Sequence, residues 1–193
     1  MLSKTLIASV SLSATVSHAI NLTIDISDLS NILLISETDH SLINATGDVG
    51  FAVGISLEDF FTSPQDLTDS VSIGGDLTAR GTTLSYNETV SFAFGDGAVV
   101  VGDDLSIYST VGGENQEFVT SAPAFTGVGT INLSAFAAAI PSIGATGLIN
   151  NGYQPSQGGA IGTWSVIPEP SSFALITGMM GLVAVGARRF PRK

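Results

Sequence analysis

The middle of the chain alternates between apolar and polar residues with the period of two that is typical of β-strands. Near its start, Leu22, Ile24 and Ile26 alternate with polar neighbours. The same pattern predicts later strands at 49–55, 86–94, 98–101, 105–111, 125–133 and 161–167. Turn residues at 95–97 and 102–104 arrange three of them as a β-meander. Since only 135–140 favours a helical turn or two, the pattern predicts an all-β domain over 20–167, an antiparallel β-sandwich or jelly roll.

The first 19 residues have the pattern of a secretory signal peptide. Lys4 supplies a positive charge, and a mildly apolar segment follows over 5–16. Ser17 and Ala19 are small residues at the −3 and −1 positions of a cleavage site. We therefore expect cleavage after Ala19, which would leave Ile20 as the first residue of an exported domain.

The C-terminal region contains a second apolar segment, over 173–187. At about 1.5 Å per residue its length is roughly 22 Å, short of a hydrocarbon core of about 30 Å. Two preceding serines and snorkelling of the following arginines make a short transmembrane helix plausible. The basic residues after it would keep the tail cytoplasmic, and they are Arg188, Arg189, Arg192 and Lys193.

The segment 168–193 resembles the PEP-CTERM sorting signal of Gram-negative bacteria. Three parts follow in the family's order: the triplet Pro168, Glu169 and Pro170, the apolar helix over 173–187 and the basic tail over 188–193. The chain departs from the family in one respect, because Phe190 and Pro191 interrupt the basic cluster, which is often an unbroken arginine run. The resemblance implies processing near the triplet by an exosortase, a membrane-embedded cysteine transpeptidase-like enzyme. After transient membrane insertion, the protein would be released or attached at the envelope of a polysaccharide-producing cell.

Alternatives to this interpretation are a permanent single-span protein and a GPI-type signal. The two prolines hold the triplet extended, which suits either a processing site or a juxtamembrane linker. The basic end and the missing polar spacer disfavour a GPI signal.

Charge and cysteine content exclude several classes of protein. The chain has 6 Lys+Arg against 17 Asp+Glu, a net charge of −11, and Arg80 is the single Lys or Arg within 20–167. Nucleic-acid binding is excluded because it requires Lys and Arg to neutralise phosphates. The absence of Cys excludes disulfides and Cys-ligated metals.

The search for catalytic residues predicts none, so we expect a protein that is not an enzyme. His40 lies in a polar segment, and no Gly-x-Ser-x-Gly motif accompanies it. Acidic pairs of the kind that glycosidases use occur at 58–59, 103–104 and 114/117. Adjacent residues on a strand face opposite sides, so Asp103 and Asp104 are not expected to share a cleft unless a turn brings them together.

Calcium is the one cofactor for which the sequence offers candidates. Asp96, Asp103 and Asp104 occur in two turns of the predicted meander, where glycine-rich backbone would expose carbonyl oxygens. The EF-hand spacing is absent, and the alternative is that these residues serve turn geometry and solubility.

These patterns predict a non-enzymatic cell-envelope or extracellular-matrix protein, structural or adhesive in an exopolysaccharide or biofilm context. The alternative is a carbohydrate-binding, lectin-like module, with or without calcium, and a secreted hydrolase is a third class. The expected partners are the exosortase and extracellular polysaccharide. The aromatic candidates for glycan stacking, Tyr86, Tyr108, Tyr153 and Trp164, are scattered, and we expect Trp164 to anchor the core.

Overall fold

The computed structural model describes residues 20–47, 53–67, 71–92, 101–111, 115–152 and 159–167. The predicted leader over 1–19, the sorting signal over 168–193 and Asp96 lie outside these described residues. Among the residues that are described, no helix has both the length and the apolar character required to cross a membrane.

The described residues form short strands and almost no helix. The strands are β1 (Ile20–Asp25), β2 (Ile32–Ser36), β3 (Ala45–Gly47), β4 (Val53–Leu57), β5 (Gln65–Asp66), β6 (Ile73–Gly75), β7 (Thr78–Ala79), β8 (Glu88–Phe92), β9 (Val101–Gly102), β10 (Asp104–Ser109), β11 (Gln116–Phe118), β12 (Phe125–Thr126), β13 (Val128–Ile131), β14 (Thr146–Asn151) and β15 (Ala160–Ile167). Two short 3₁₀ turns lie over Ser134–Ala139, on either side of Phe136, which has non-helical dihedral angles. The all-β class is thus confirmed.

Nine of these strands form one sheet in the described structure, in the order β6-β13-β2-β1-β15-β14-β4-β10-β8. Its neighbours are antiparallel except for β1 and β15, which pair in parallel from Ile20 opposite Thr163 to Asp25 opposite Ile167. This parallel pair departs from the purely antiparallel arrangement expected. The two strands of this pair are the first and last described strands, and they are neighbours at the middle of the sheet.

The two outermost strands of this sheet approach each other, so the sheet is nearly closed. A β-bridge joins Ser72, beside β6, to Glu88 at the start of β8. The backbone N–H of Ile73 donates to the carbonyl of Asn87 at 2.9 Å, and the Thr89 hydroxyl donates to the carbonyl of Val71 at 2.9 Å. Closure of this kind satisfies edge groups that an open sheet would expose.

The core contains the apolar residues of the main strands. Leu22 and Ile24 in β1 are fully buried, as the alternating pattern predicts. So are Ile55 and Leu57 in β4, which extends two residues beyond the predicted end at residue 55. Trp164 is 1% exposed and belongs to this core, as expected. Its ring contacts that of Phe60, with centroids 5.6 Å apart.

The predicted meander is wrong in placing a strand between β8 and β10, and of that predicted strand, 98–101, only Val101 lies within the described residues. Strands β8 and β10 pair directly with each other, whereas β9 pairs with β5. The alternating pattern correctly located β8 and β10, but pairing between distant segments determines where β9 lies. The structure also contains β2 and β14, which the sequence analysis did not predict.

Candidate metal centre

Three aspartates lie together where β4 ends and β10 begins. One carboxylate oxygen from each of Asp59, Asp103 and Asp104 lies within 4.8 Å of the other two. The strand register explains the cluster, because β4 and β10 are antiparallel with Leu57 opposite Leu105. The turn that follows β4 therefore meets the residues at the start of β10.

The backbone of the turn after β4 is hydrogen-bonded to Asp103, which precedes β10, and to Asp104, its first residue. Asp59 has a φ of 51°, in the left-handed region that Asp tolerates better than most residues. Its N–H donates to Asp104 Oδ1 at 2.8 Å, and the N–H of Phe61 donates to the carbonyl of Asp103 at 2.7 Å. Because Phe60 and Phe61 are buried in the core, they hold this turn against the sheet.

Strands β14 and β15 support the same turn through Glu58. The indole N–H of Trp164 donates to the carbonyl of Glu58 at 3.2 Å, and the N–H of Glu58 donates to the carbonyl of Leu148 at 2.9 Å. Gly147 allows this approach, since a Cβ there would lie 2.6 Å from both the Glu58 carbonyl oxygen and the indole ring. The position of the aspartates is thus determined by core packing.

Asp104 is the buried member of the cluster. Its side chain is 1% exposed, whereas Asp103 is half-buried and Asp59 is exposed. Its Oδ1 accepts the Asp59 N–H, but its Oδ2 is buried without a hydrogen-bond partner in the described structure. Such a group is costly, because burial removes water and no protein group replaces it.

The electrostatic environment of Asp104 is negative. The pKa of its carboxyl is raised to about 6. Burial is the largest cause, and the charges of Asp103, Asp59 and Glu58 act in the same direction, while the hydrogen bond from the Asp59 backbone lowers the pKa. The charges that act on its pKa are therefore all of the same sign as its own. A cation bound beside Asp104 would instead favour the ionised carboxylate and lower its pKa.

The structure places two of the three predicted calcium residues together. Asp103 and Asp104 do converge, because Asp103 precedes β10 in a bend and strand alternation does not apply to it. Asp59 was considered only in an acidic pair with Glu58 and was missed as their partner. It lies 45 positions before Asp104, so only the β4–β10 register could have revealed it.

His40 and Glu117, two other sequence candidates, do not belong to this cluster. His40 is exposed, and its Nδ1 lies 3.2 Å from the carbonyl of Thr120. Glu117 is exposed on β11, and Glu114 is outside the described residues. Tyr86 and Trp164 are each 1% exposed, which leaves neither ring free to stack on a sugar.

Two surface clefts are lined by other parts of the described structure. The larger, of about 550 Å³, lies between 44–46 and 117–121. The smaller, of about 310 Å³, lies beside Thr23 and 37–39, where the Thr23 hydroxyl donates to Glu37 at 2.7 Å. Neither cleft includes the aspartate cluster.

Comparison with known proteins identifies no relative: no family model, no curated protein and no solved structure matches the chain.

Proposed function

We propose that this chain is a non-enzymatic, exported cell-envelope or extracellular-matrix protein that an exosortase sorts through its C-terminal signal. The observation that carries the proposal is the order of the Pro168–Glu169–Pro170 triplet, the apolar segment over 173–187 and the basic residues over 188–193. Export by a cleaved leader would place the domain outside the inner membrane, with the basic tail inside until processing.

The boundary of the folded domain supports the position of the proposed processing site. Strand β15 ends at Ile167, and the next residue in the sequence is Pro168. Two prolines within three residues cannot continue a central strand, because each lacks an N–H and fixes φ. In the sequence the triplet therefore begins directly after the last strand, and we propose that the processing enzyme acts there.

Two further observations favour a structural or adhesive role over hydrolysis. The strongest acid candidate, Asp104, is 1% exposed, so a glycan or peptide substrate would not reach it. The nearly closed sheet also leaves few edge groups open to unwanted pairing, which suits a domain held at high density in a secreted polysaccharide matrix.

The sorting proposal is tested by replacing Pro168 and Glu169 with Ala in the native host. We expect the variant to keep its apolar segment and remain full length in the membrane fraction, because the processing enzyme no longer recognises the triplet. Mass spectrometry and fractionation measure this outcome. The matched control replaces Ser171 and Ser172 with Ala, and it should be processed like the natural chain. Normal trimming of the Pro168/Glu169 variant would refute the proposal.

A calcium-dependent, lectin-like module is the second candidate function, and the aspartate cluster favours it. With Tyr86 and Trp164 in the core, recognition by aromatic stacking on these two rings is not available. Sugar hydroxyls would instead have to bind through a cation at the exposed side of Asp59. A glycan array probed with the full chain, with calcium and with a chelator, separates this function from a purely structural role.

A further inference from the structure

We propose that Asp59, Asp103 and Asp104 form a binding site for one calcium ion, which joins the turn after β4 to the start of β10. This site does not depend on the sorting signal. Its failure would leave the proposed exosortase sorting untouched, and failure of the sorting experiment would leave the site untouched.

The spacing of the oxygens fits calcium. Oxygen ligands lie about 2.3–2.6 Å from Ca²⁺, so two ligands of one ion are separated by no more than about 5 Å. The carboxylate oxygens of the cluster lie within 4.8 Å of one another. Three oxygens at that limit would lie about 2.8 Å from a common point, so a shift of a few tenths of an ångström in the carboxylates, without rearrangement of the strands, lets one ion contact all three. Water can complete the shell on the side where Asp59 is exposed.

The unpartnered Oδ2 of Asp104 is the independent observation that points to a ligand. Turn geometry accounts for Oδ1, which accepts the Asp59 N–H at 2.8 Å. An asparagine would supply that acceptor equally well and without a buried charge. Turn geometry therefore does not explain why a carboxylate is buried here, whereas a cation ligand would.

The protein itself offers little to neutralise this charge. Arg80 is the single Lys or Arg between residues 20 and 167. It directly follows β7, where its backbone is hydrogen-bonded to that of Ala124 and Glu117. The groups whose charges act on Asp104 are acidic. A metal ion is thus the available source of positive charge for a cluster of three carboxylates.

The donor set selects the kind of metal. Three carboxylates are hard ligands that suit Ca²⁺ or Mg²⁺, and the cluster contains neither imidazole nor thiolate for zinc. Mg²⁺ requires near-ideal octahedral geometry at about 2.0–2.1 Å, which limits its ligands to about 4.2 Å apart. Calcium accepts a wider and less regular shell, and the exported location proposed above would supply it.

The test is a Ca²⁺ titration of the full-length chain in mild detergent, by calorimetry and by thermal melting. Few protein ligands predict a Kd in the range of extracellular modules, about 10⁻⁴–10⁻³ M. At about 10 mM CaCl₂ we expect Tm to rise by about 3–10 °C. NaCl at equal ionic strength should produce no such rise.

Matched variants locate the site. Asp104→Asn and Asp59→Asn keep the side-chain shape, and Asn also tolerates the left-handed backbone of residue 59. Each should weaken Ca²⁺ binding by about tenfold or more. Asp28→Asn removes the same charge from an exposed turn between β1 and β2, where Asp28 accepts bonds from Ser30, and it should bind as the natural chain does.

Circular dichroism in chelator tests whether each variant is folded. If Asp104→Asn does not fold, Ca²⁺ binding is measured instead on Asp103→Asn, which changes a half-buried residue of the cluster. The proposal is overturned if the natural chain shows no saturable response to Ca²⁺. It is also overturned if the cluster variants respond as Asp28→Asn does. A response to Mg²⁺ equal to that to Ca²⁺ would overturn the assignment of calcium.

Discussion

Asp104 combines a buried charge with an oxygen that no described group satisfies, and this has a consequence for the metal-free protein. At neutral pH its carboxyl is ionised in the unfolded chain, while burial makes ionisation less favourable in the folded one, where the pKa is about 6. A shift of about two units corresponds to a cost on the order of 3 kcal/mol. Asp104 thus reduces the stability of the metal-free fold.

We therefore predict that Asp104→Asn is more stable than the natural chain in chelator at neutral pH, by about 1–3 kcal/mol. The amide keeps the acceptor for the Asp59 N–H and can donate toward the neighbouring carboxylates. Urea unfolding in EDTA measures the difference. Asp28→Asn, at a fully exposed position, should change stability by less than about 0.5 kcal/mol. A less stable Asp104→Asn protein would contradict the prediction.

The same residues show how far sequence reasoning could reach at this scale. Asp103 and Asp104 were recognisable from turn composition and oxygen chemistry alone. The place of Asp59 in the same cluster was not recognisable from the sequence, because it follows from the pairing of Leu57 with Leu105 across the sheet. Burial of one aspartate among three is likewise a property of the packed turn, which adjacent residues in the sequence do not reveal.

The parallel pair of β1 and β15 depends on one side chain that joins several backbone segments. The amide of Asn21 donates to the carbonyls of Asp39 and His40 at 2.9 and 3.0 Å, and its oxygen accepts the N–H of Thr163 at 3.1 Å. Gly162 leaves space for it, since a Cβ there would lie 2.0 Å from the Asn21 side-chain oxygen.

Gly162→Ala should therefore destabilise the protein by about 2–4 kcal/mol, because the methyl group displaces the Asn21 amide and breaks its hydrogen bonds. Chemical denaturation followed by circular dichroism gives the value. Gly159→Ala is the matched control just before β15. Its Cβ would meet only the end of the Ile43 side chain, at 3.0 Å, and a change within about 1 kcal/mol is expected. Equal stability of the two variants would argue against a structural role for this close approach.

At the scale of elements, alternation predicted strands in which apolar and polar residue types alternate, and it missed strands that lack this pattern. Strand β1 was recognisable because Leu22 and Ile24 alternate with polar residues. Strand β2 is a continuous apolar segment, a pattern that does not distinguish a buried strand from other buried structure. Strand β14 contains Gly147 and two asparagines, residue types that are typical of loops. Its pairing with β4 and β15 overrides the low strand propensity of these residues.

At the scale of the molecule, closure of the sheet makes a prediction about backbone exchange. The Ile73 N–H faces away from β13 and bonds to the carbonyl of Asn87 across the closing seam. In an open sheet this N–H would face solvent. We expect its hydrogen exchange to be as slow as that of amides in β1, measured by NMR or mass spectrometry.

The Ser30 N–H provides the reference for fast exchange, since it bonds only to the exposed carboxylate of Asp28. If Ile73 exchanged as rapidly as Ser30, the seam would be open in solution and the sheet would have two free edges.

The central position of β15 also determines when the sheet can assemble during synthesis. A ribosome makes β1 first and residues 160–167 after every other described strand, yet those residues lie between β1 and β14. Until residues 160–167 emerge, β1 and β14 each have an unpaired backbone edge on the side where β15 belongs. A nascent chain that stops earlier exposes these two edges, which are prone to aggregation. The sheet thus cannot be completed before residues 160–167 are available to pair, so the chain cannot finish folding before its last strand has been made.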